Sequence, residues 1–266
     1  MPSDRSTHET PDTPSGEEGA PVSYTSRGAI RVLEIDRPER RNAVDRRTAD
    51  ALLAGFQRFE QDPEARVLVV GGKRGTFCAG ADLKAMNLKA NAEAGPMGFT
   101  RLRASKPTIA AVEGWCVAGG LEIALWCDLR VAGRSARFGC LERRWGVPLI
   151  DGGTQRLPRI VGLGRALDLV LTGRVIDADE ALGMGLISRI VDDSTALEAS
   201  VELAESIAAF PWSCVVADRA GVLDAFDVPL ERGLEREMEH SASTLVEALA
   251  GAERFAAGTG RGGKVP

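Results

Sequence analysis

The stretch Lys106-Pro-Thr-Ile-Ala-Ala-Val-Glu-Gly-Trp-Cys-Val-Ala-Gly-Gly-Leu-Glu-Ile-Ala-Leu-Trp-Cys-Asp128 constrains the fold of this chain more than any other. Residues 108–112 read as a strand apolar on both faces, residues 114–120 as a glycine-bearing turn, and Leu121 onward as a helix. Glu122 falls in the first turn of that helix among apolar neighbours, where an unsatisfied carboxylate is costly to bury. The two glycines before it allow close backbone approach and expose N–H groups at a helix start. This strand–glycine–helix joint is therefore the expected active-site corner. The window 107–127 is about as long as a membrane span, but Glu113, Glu122 and three glycines lie inside it. Acids near mid-bilayer cost roughly 2.5–3.5 kcal/mol each, so the window belongs in a soluble core.

The reactive inventory is narrow. The chain has 2 histidines, His8 and His240, which removes most Ser-His-Asp, Cys-His and histidine-metal schemes. Its 5 cysteines form no C-x-x-C pair and are odd in number, so reduced thiols in a cytoplasmic protein are expected rather than disulfides or a thiolate metal site. Chemistry with such a set falls to carboxylates and backbone amides. A net charge of −5 argues against nonspecific nucleic-acid binding. The charge is uneven, however: residues 37–106 hold 14 Lys/Arg against 8 Asp/Glu. Such a basic half fits either a small polyanionic ligand, such as a nucleotide or phosphate, or a solvated face.

Residues 1–26 read as a disordered tail, because Pro2, Pro11, Pro14 and Pro21 punctuate polar residues with little to bury. No apolar run follows its charges, so neither a signal peptide nor an anchor is expected. Beyond it, residues 29–35 alternate like a strand, Asp45 offers an N-cap, and Ala49, Leu52, Leu53, Phe56 and Phe59 recur at helical spacing. Residues 67–70, 129–132, 137–142 and 186–191 read as further strands, and residues from 196 onward as helices. Short apolar strands alternating with helices, then an all-helical last part, predict an α/β core at 27–195 and a helical region at 196–266. No fixed-period repeat is visible.

Two glycine motifs fail on inspection. Gly114-x-x-x-x-Gly119-Gly120-Leu121 has the spacing of a P-loop but lacks the Lys and Ser/Thr that grip phosphate and magnesium. Gly162-Leu-Gly164 lacks the third glycine and the strand context of a dinucleotide fingerprint. The carboxylates are more informative. Glu122 and Glu142 each stand in apolar or aromatic surroundings, and such a pair can divide acid and base roles if its environments separate the pKa values. The plain alternative for either is an ion pair with Arg143, Arg144 or Arg156. Asp128 reads as a cap or turn residue, and Asp151 is a further acid.

Five segments in order resemble the enoyl-CoA hydratase/isomerase (crotonase) family: Phe77-Cys-Ala-Gly-Ala-Asp-Leu83, Ala118-Gly-Gly-Leu-Glu122, Cys127-Asp128, Phe138-Gly-x-x-Glu142 and Gly152-Gly-Thr-Gln-Arg-Leu157. Arg37-Pro-Glu-x-x-Asn-Ala43 extends the likeness toward the N-terminus, so that only the tail falls outside it. The resemblance implies a crotonase-like spiral of ββα units with C-terminal trimerisation helices, assembled as a homotrimer or dimer of trimers. It implies an acyl-CoA thioester substrate, no metal, and no cofactor beyond the coenzyme A of the substrate. No nucleic-acid or membrane partner is implied.

The same resemblance assigns residues. Backbone N–H groups of Ala81 and Gly119 would form an oxyanion hole, which suits an enolate-like state beside a thioester. Glu122 and Glu142 would be the catalytic pair that adds water at C3 of a 2-enoyl thioester and a proton at C2, with Glu142 handling the C2 proton. Arg40, Ala43, Ala79, Asp82, Leu83, Gly120 and Leu141 would contact substrate. Two departures stand out. Leu141 replaces a proline that often precedes the second glutamate, and Asp151 stands where many hydratases have a small residue. An acid near this place occurs in some isomerases of the family. Reversible hydration of a 2-enoyl-CoA is thus the first expectation, with an enoyl- or dienoyl-CoA isomerase using Glu142 or Asp151 as alternative. A non-catalytic acyl-CoA-binding relative is the third. Residues 85–105 are expected to shape the acyl pocket.

Overall fold

The computed structural model describes residues 19–89, 92–242 and 244–258. Its backbone is a six-stranded sheet of β1 (Val22–Arg27), β2 (Ile30–Ile35), β3 (Val67–Gly72), β4 (Thr108–Val112), β6 (Leu129–Gly133) and β9 (Arg189–Val191), in that spatial order. Within this sheet the β1–β2 hairpin is antiparallel and every later pairing is parallel, with Val69 opposite Ile109 and Ala111 opposite Val131. Parallel strands need crossovers, and their helices cover both sheet faces. That accounts for the unbroken apolar runs. Ile30, Val32, Val67, Val69, Ile109 and Val131 face one side, against Val201 and Ala204 of α6 (Ala196–Ala208). Leu33, Leu68, Val70, Ala110 and Val112 face the other, with Phe56, Phe77, Phe99 and Ile123.

A second, smaller sheet joins β5 (Trp115–Val117), β7 (Arg137–Gly139) and β8 (Ile176–Asp177), and an isolated backbone β-bridge between residues Cys78 and Cys116 extends it. Two successive turns of the spiral each send a long strand into the main sheet and a short one into the small sheet before the next helix. In this way β4 and β5 lead to α2 (Gly119–Trp126), and β6 and β7 lead toward α3 (Gly153–Val161). The connections between turns differ greatly in length, and this hides the repeat from a fixed-period reading.

Several expectations shift. Val22–Arg27 is a strand, so the core begins before residue 27; residues 1–18 of the expected tail lie outside the described residues. The extended piece expected at 137–142 stops at Gly139, where its partner β5 ends, and a 3-10 turn, Leu141–Trp145, carries Glu142. The strand expected at 186–191 is shorter, Arg189–Val191, because the Leu186 N–H bonds back to the Ala181 carbonyl. Helix α6 is no appendage, since it seals the main sheet. The helices after it, α7 (Trp212–Asp224), α8 (Leu230–Ser241) and α9 (Leu245–Ala256), bury little, and α8 and α9 bury no residue. Asp45 caps α1 (Arg46–Gln61) as expected, accepting from the Thr48 N–H at 2.9 Å. No helix of the described residues is long and apolar enough to cross a membrane.

Candidate active site

A cavity of about 600 Å³ opens where the start of α2, the 3-10 turn, the 79–83 segment and the 148–151 loop converge. Its lining is mainly apolar (Val117, Leu141, Trp145, Val147, Pro148, Met97) and includes four acids, Asp82, Glu122, Glu142 and Asp151. Three cations, Arg41, Lys89 and Arg144, also border it.

The turn that enters α2 is built by close packing. Ala118 at the N-cap has φ 52° and ψ −131°, a region non-glycine residues seldom occupy. A Cβ on Gly120 would collide with the Cys78 carbonyl, so Gly120 is there to let α2 press on that backbone rather than to meet a ligand. A Cβ on Gly80 would lie 2.9 Å from Gly119 N, which shows how closely the 79–81 backbone lies against the helix start. Gly119 is the first residue of α2, and its N–H has no intrahelical partner. Ala81 forms a parallel bridge with Val44, in which the Gly80 carbonyl and the Asp82 N–H face Val44. The Ala81 N–H therefore points to the opposite side. Neither N–H has a hydrogen-bond acceptor among the described residues, and both residues line the cavity.

Glu122 and Glu142 are 3 % and 6 % exposed, and neither pairs with an arginine, so the ion-pair alternative does not hold among the described residues. Glu122 Oε1 accepts from the N–H groups of Asp151 (2.9 Å) and Gly153 (2.8 Å). Gly153 is the first residue of α3, so that helix start faces the carboxylate; a Cβ there would sit 2.9 Å from Oε1. Burial pushes the Glu122 carboxyl up to about 7; the two N–H donors pull it down, and the charges of Asp151 and Glu142 push it further up. Glu142 differs. Both of its carboxylate oxygens are buried without any partner, and burial raises its pKa too. A buried carboxylate with no protein partner that lines a cavity is placed for something outside the chain.

The remaining expected contacts divide. Ala79, Asp82, Leu83, Leu141 and Asp151 line the cavity; Arg40, Ala43 and Gly120 do not. Arg40 is exposed on a 3-10 turn, and its neighbour Arg41 takes the place at the cavity, swung there by a left-handed backbone (φ 52°). Ala43 lies beneath, its carbonyl accepting from Arg37. Asp82 reaches the cavity, yet its carboxylate serves the loop: Oδ2 meets Arg37 at 3.1 Å and Oδ1 accepts from the Lys84 and Ala85 N–H groups. Asp151 Oδ1 accepts from the Met97 N–H (3.0 Å) and the Thr100 hydroxyl. Asp128 ties β4 to α7, accepting from the Thr108 N–H and Arg219 at 2.8 Å each. His240 is engaged by Asp224 at 3.0 Å and does not line the cavity. All five cysteines are unpaired, and burial pushes the Cys78, Cys127 and Cys140 thiols up to about 12, which makes them inert at neutral pH.

Two contributors fell inside segments marked in the sequence, Asn42 in the 37–43 likeness and Met97 in the 85–105 pocket segment, without a role being assigned to either. Asn42 is fully buried; its Oδ1 accepts from the Arg37 N–H at 2.8 Å and its amide donates to the Lys73 carbonyl at 3.0 Å and to the Thr76 carbonyl. It anchors the loop that presents Arg41, and a lone Asn amid charged residues gave no signal of this. Met97, on an irregular segment without periodicity, packs against Gly119.

Fold and site together define an α/β spiral whose parallel sheet and helix starts enclose a mainly apolar cavity with buried carboxylates. The model of the enoyl-CoA hydratase/isomerase family matches residues 25–256, and the chain belongs to that family. Among its relatives, an enoyl-CoA hydratase of Mycobacterium tuberculosis, EchA19, is 39% identical over 203 residues, covering 73% of this chain and 76% of the relative. The (E)-benzylidenesuccinyl-CoA hydratase of Thauera aromatica is 37% identical over 226 residues, covering 80% and 86%. The crystal structure of enoyl-CoA hydratase EchA1 from Mycobacterium marinum superposes with a TM-score of 0.85 at 33% identity, covering 89% of this chain and 96% of that one.

Proposed function

We propose that the chain catalyses reversible addition of water to a 2-enoyl-CoA thioester. The observation that carries this is Glu142, a buried carboxylate whose two oxygens have no partner among the described residues, in one cavity with Glu122, whose Oε1 is fixed by two N–H groups. In this reading the thioester carbonyl accepts from the N–H groups of Ala81 and Gly119, which stabilise the enolate-like oxygen; one such donor is typically worth about 3 kcal/mol. In this reading Glu122 and Glu142 hold one proton between them, the charge of Glu142 being among those that raise Glu122. A water held between them bonds to C3 through its oxygen and gives a proton to Glu122, while Glu142 delivers the shared proton to C2. Transfer between the carboxylates restores the pair, and the net change is one H2O added. The addition leaves the net oxidation level of the acyl group unchanged, and carboxylates handle both protons, so the step calls for no cofactor beyond the coenzyme A of the substrate.

Arg41, Lys89 and Arg144 would neutralise the nucleotide phosphates. Assembly as a homotrimer or dimer of trimers is part of the same proposal, supported by Leu230, Leu234 and Met238, which stand exposed one turn apart along α8. Size-exclusion with light scattering reads it. Isomerisation through Asp151 is the less favoured reading, because Oδ1 of that residue is already engaged by Met97 and Thr100. The test is turnover of crotonyl-, 3-enoyl- and dienoyl-CoA by the purified protein. Hydration of crotonyl-CoA ahead of the other two is expected; isomerisation without hydration would overturn the reading.

A further inference from the structure

Behind Glu122, the 95–101 loop and the 150–151 segment are stitched together by three independent side chains. Asp151 Oδ1 accepts from the Met97 N–H and the Thr100 hydroxyl. Arg156 spans the same two segments, donating from Nη1 to the Asp151 carbonyl at 2.9 Å and from Nη2 to the Thr100 carbonyl at 2.6 Å. Arg101 donates from Nε (3.1 Å) and Nη2 (2.8 Å) to the Ile150 carbonyl. The loop is shaped for this contact. Gly95 has φ +88°, and a Cβ there would collide with Thr100 Oγ1 and lie 2.7 Å from Asp151 Oδ1. Gly98, at φ +104°, seats the far side of the loop against the Ala49 carbonyl of α1.

Two consequences meet at Asp151. Its carboxylate fixes Met97, whose side chain rests on Gly119: a Cβ on that glycine would lie 2.7 Å from Met97 Cε. Its backbone N–H fixes Glu122 Oε1. With the thioester carbonyl at Ala81 and Gly119 and C3 beside Glu122, the acyl carbons beyond C3 run toward the walls nearest those groups. Met97 and the 150–151 segment are those walls, and neither can retreat without breaking the stitching.

We propose that Asp151 is a positioning and specificity-determining residue: its carboxylate holds Met97 as a rigid end wall of the acyl pocket, while its N–H aims Glu122. The chain then favours short enoyl thioesters and discriminates against long ones. This rests on the hydratase reading for the placement of the thioester as well as for its kinetic readout.

The experiment measures kcat and KM for 2-enoyl-CoA substrates of increasing acyl length, crotonyl to decenoyl, with the wild type and the Asp151→Ala, Asp151→Asn and Met97→Ala variants. Calorimetric binding of butyryl- and decanoyl-CoA gives a second readout that needs no turnover. Asp151→Ala and Met97→Ala are expected to raise the decenoyl-to-crotonyl ratio of kcat/KM by roughly tenfold, the scale of pocket-fit discrimination, mainly through KM for the long substrate. Asp151→Asn keeps an oxygen that accepts from both Met97 and Thr100, so it is expected to restore the wild-type ratio. Thr100→Val, which removes only a hydroxyl, should move the ratio the same way by less, and it keeps the test open if Asp151→Ala does not fold. An unchanged ratio in Asp151→Ala or Thr100→Val, or an Asp151→Asn ratio matching Asp151→Ala, would overturn the proposal. If the wild type hydrates no enoyl thioester, the hydratase reading fails by itself. The relative affinity for decanoyl-CoA, raised in Asp151→Ala but not in Asp151→Asn, then still supports the wall, and equal relative affinities refute it.

Discussion

Glu122 rises from the first turn of α2 and commits Oε1 to two backbone N–H groups, whereas Glu142, on the 3-10 turn after β7, brings both oxygens to the same cavity without a partner. Both are buried but differently equipped. Donors aimed at an oxygen fix its direction and favour its ionised form; desolvation without donors favours the proton. The first arrangement suits a carboxylate whose other oxygen orients a water, the second one free to reach carbon; the contrast is one of geometry, since burial raises both carboxyls and carries Glu122 up to about 7 despite its donors. A fold that builds one carboxylate into its backbone and leaves the other unsatisfied separates two roles that identical side chains could not otherwise divide.

The largest way to break this contrast is to neutralise the unsatisfied member. Glu142→Gln is expected to lower kcat for crotonyl-CoA by about 10²–10⁴-fold, the usual worth of a general acid or base, with an unchanged circular-dichroism spectrum. A kcat near wild type would remove Glu142 from the chemistry. Next, Gly153→Ala attacks the fixed member indirectly. Its Cβ would press on Glu122 Oε1 and Leu149, and a displacement of this kind is expected to cost up to about 10²-fold in kcat with a smaller change in KM. Unchanged kcat would show that the α3 start does not aim Glu122.

A third prediction concerns stability. Glu122 rises from 4.5 to about 7 on folding, so the folded chain holds that proton more tightly than the unfolded one. The resulting stabilisation is complete below about pH 4.5, falls as pH rises toward 7, and is absent above it. Glu122→Gln escapes this loss. In urea melts, its stability relative to wild type is expected to improve by roughly 2–3 kcal/mol between pH 5 and pH 8. A pH-independent difference would mean that Glu122 is not perturbed by burial. The smallest effect is at the rim: Arg41→Ala should raise KM a few-fold without changing kcat, as loss of one exposed phosphate contact would. A fall in kcat would move Arg41 into the chemistry.

The opening stretch of the sequence was legible because its signals are local. Residues 108–112 form β4 as read, since an unbroken apolar run between polar ends has few other solutions. Gly120 was legible as a close-approach residue, although its partner, the Cys78 carbonyl, was not. Glu122 and Glu142 could be picked out as buried acids in apolar settings, but nothing in the spacing of residues 122 and 142 indicates that one would be held by N–H groups and the other left free. Those donors come from residues 151 and 153, a long-range contact that no periodicity records. Arg41 was missed in favour of Arg40 because a left-handed backbone turns adjacent side chains to opposite sides. The 3-10 turn under Glu142 was read as extended because five residues are too few to show a helical period.

The contrast between the two carboxylates is tested most directly by a double-mutant cycle on crotonyl-CoA hydration. Rates are measured for wild type, Glu122→Gln, Glu142→Gln and the double variant. If the two carboxylates share one proton and act on one water, each single loss should be large and the double loss about equal to the larger single one, because residues acting as a unit are non-additive. Losses that multiply, or a single variant that hydrates crotonyl-CoA at the wild-type rate, would contradict a shared acid–base pair.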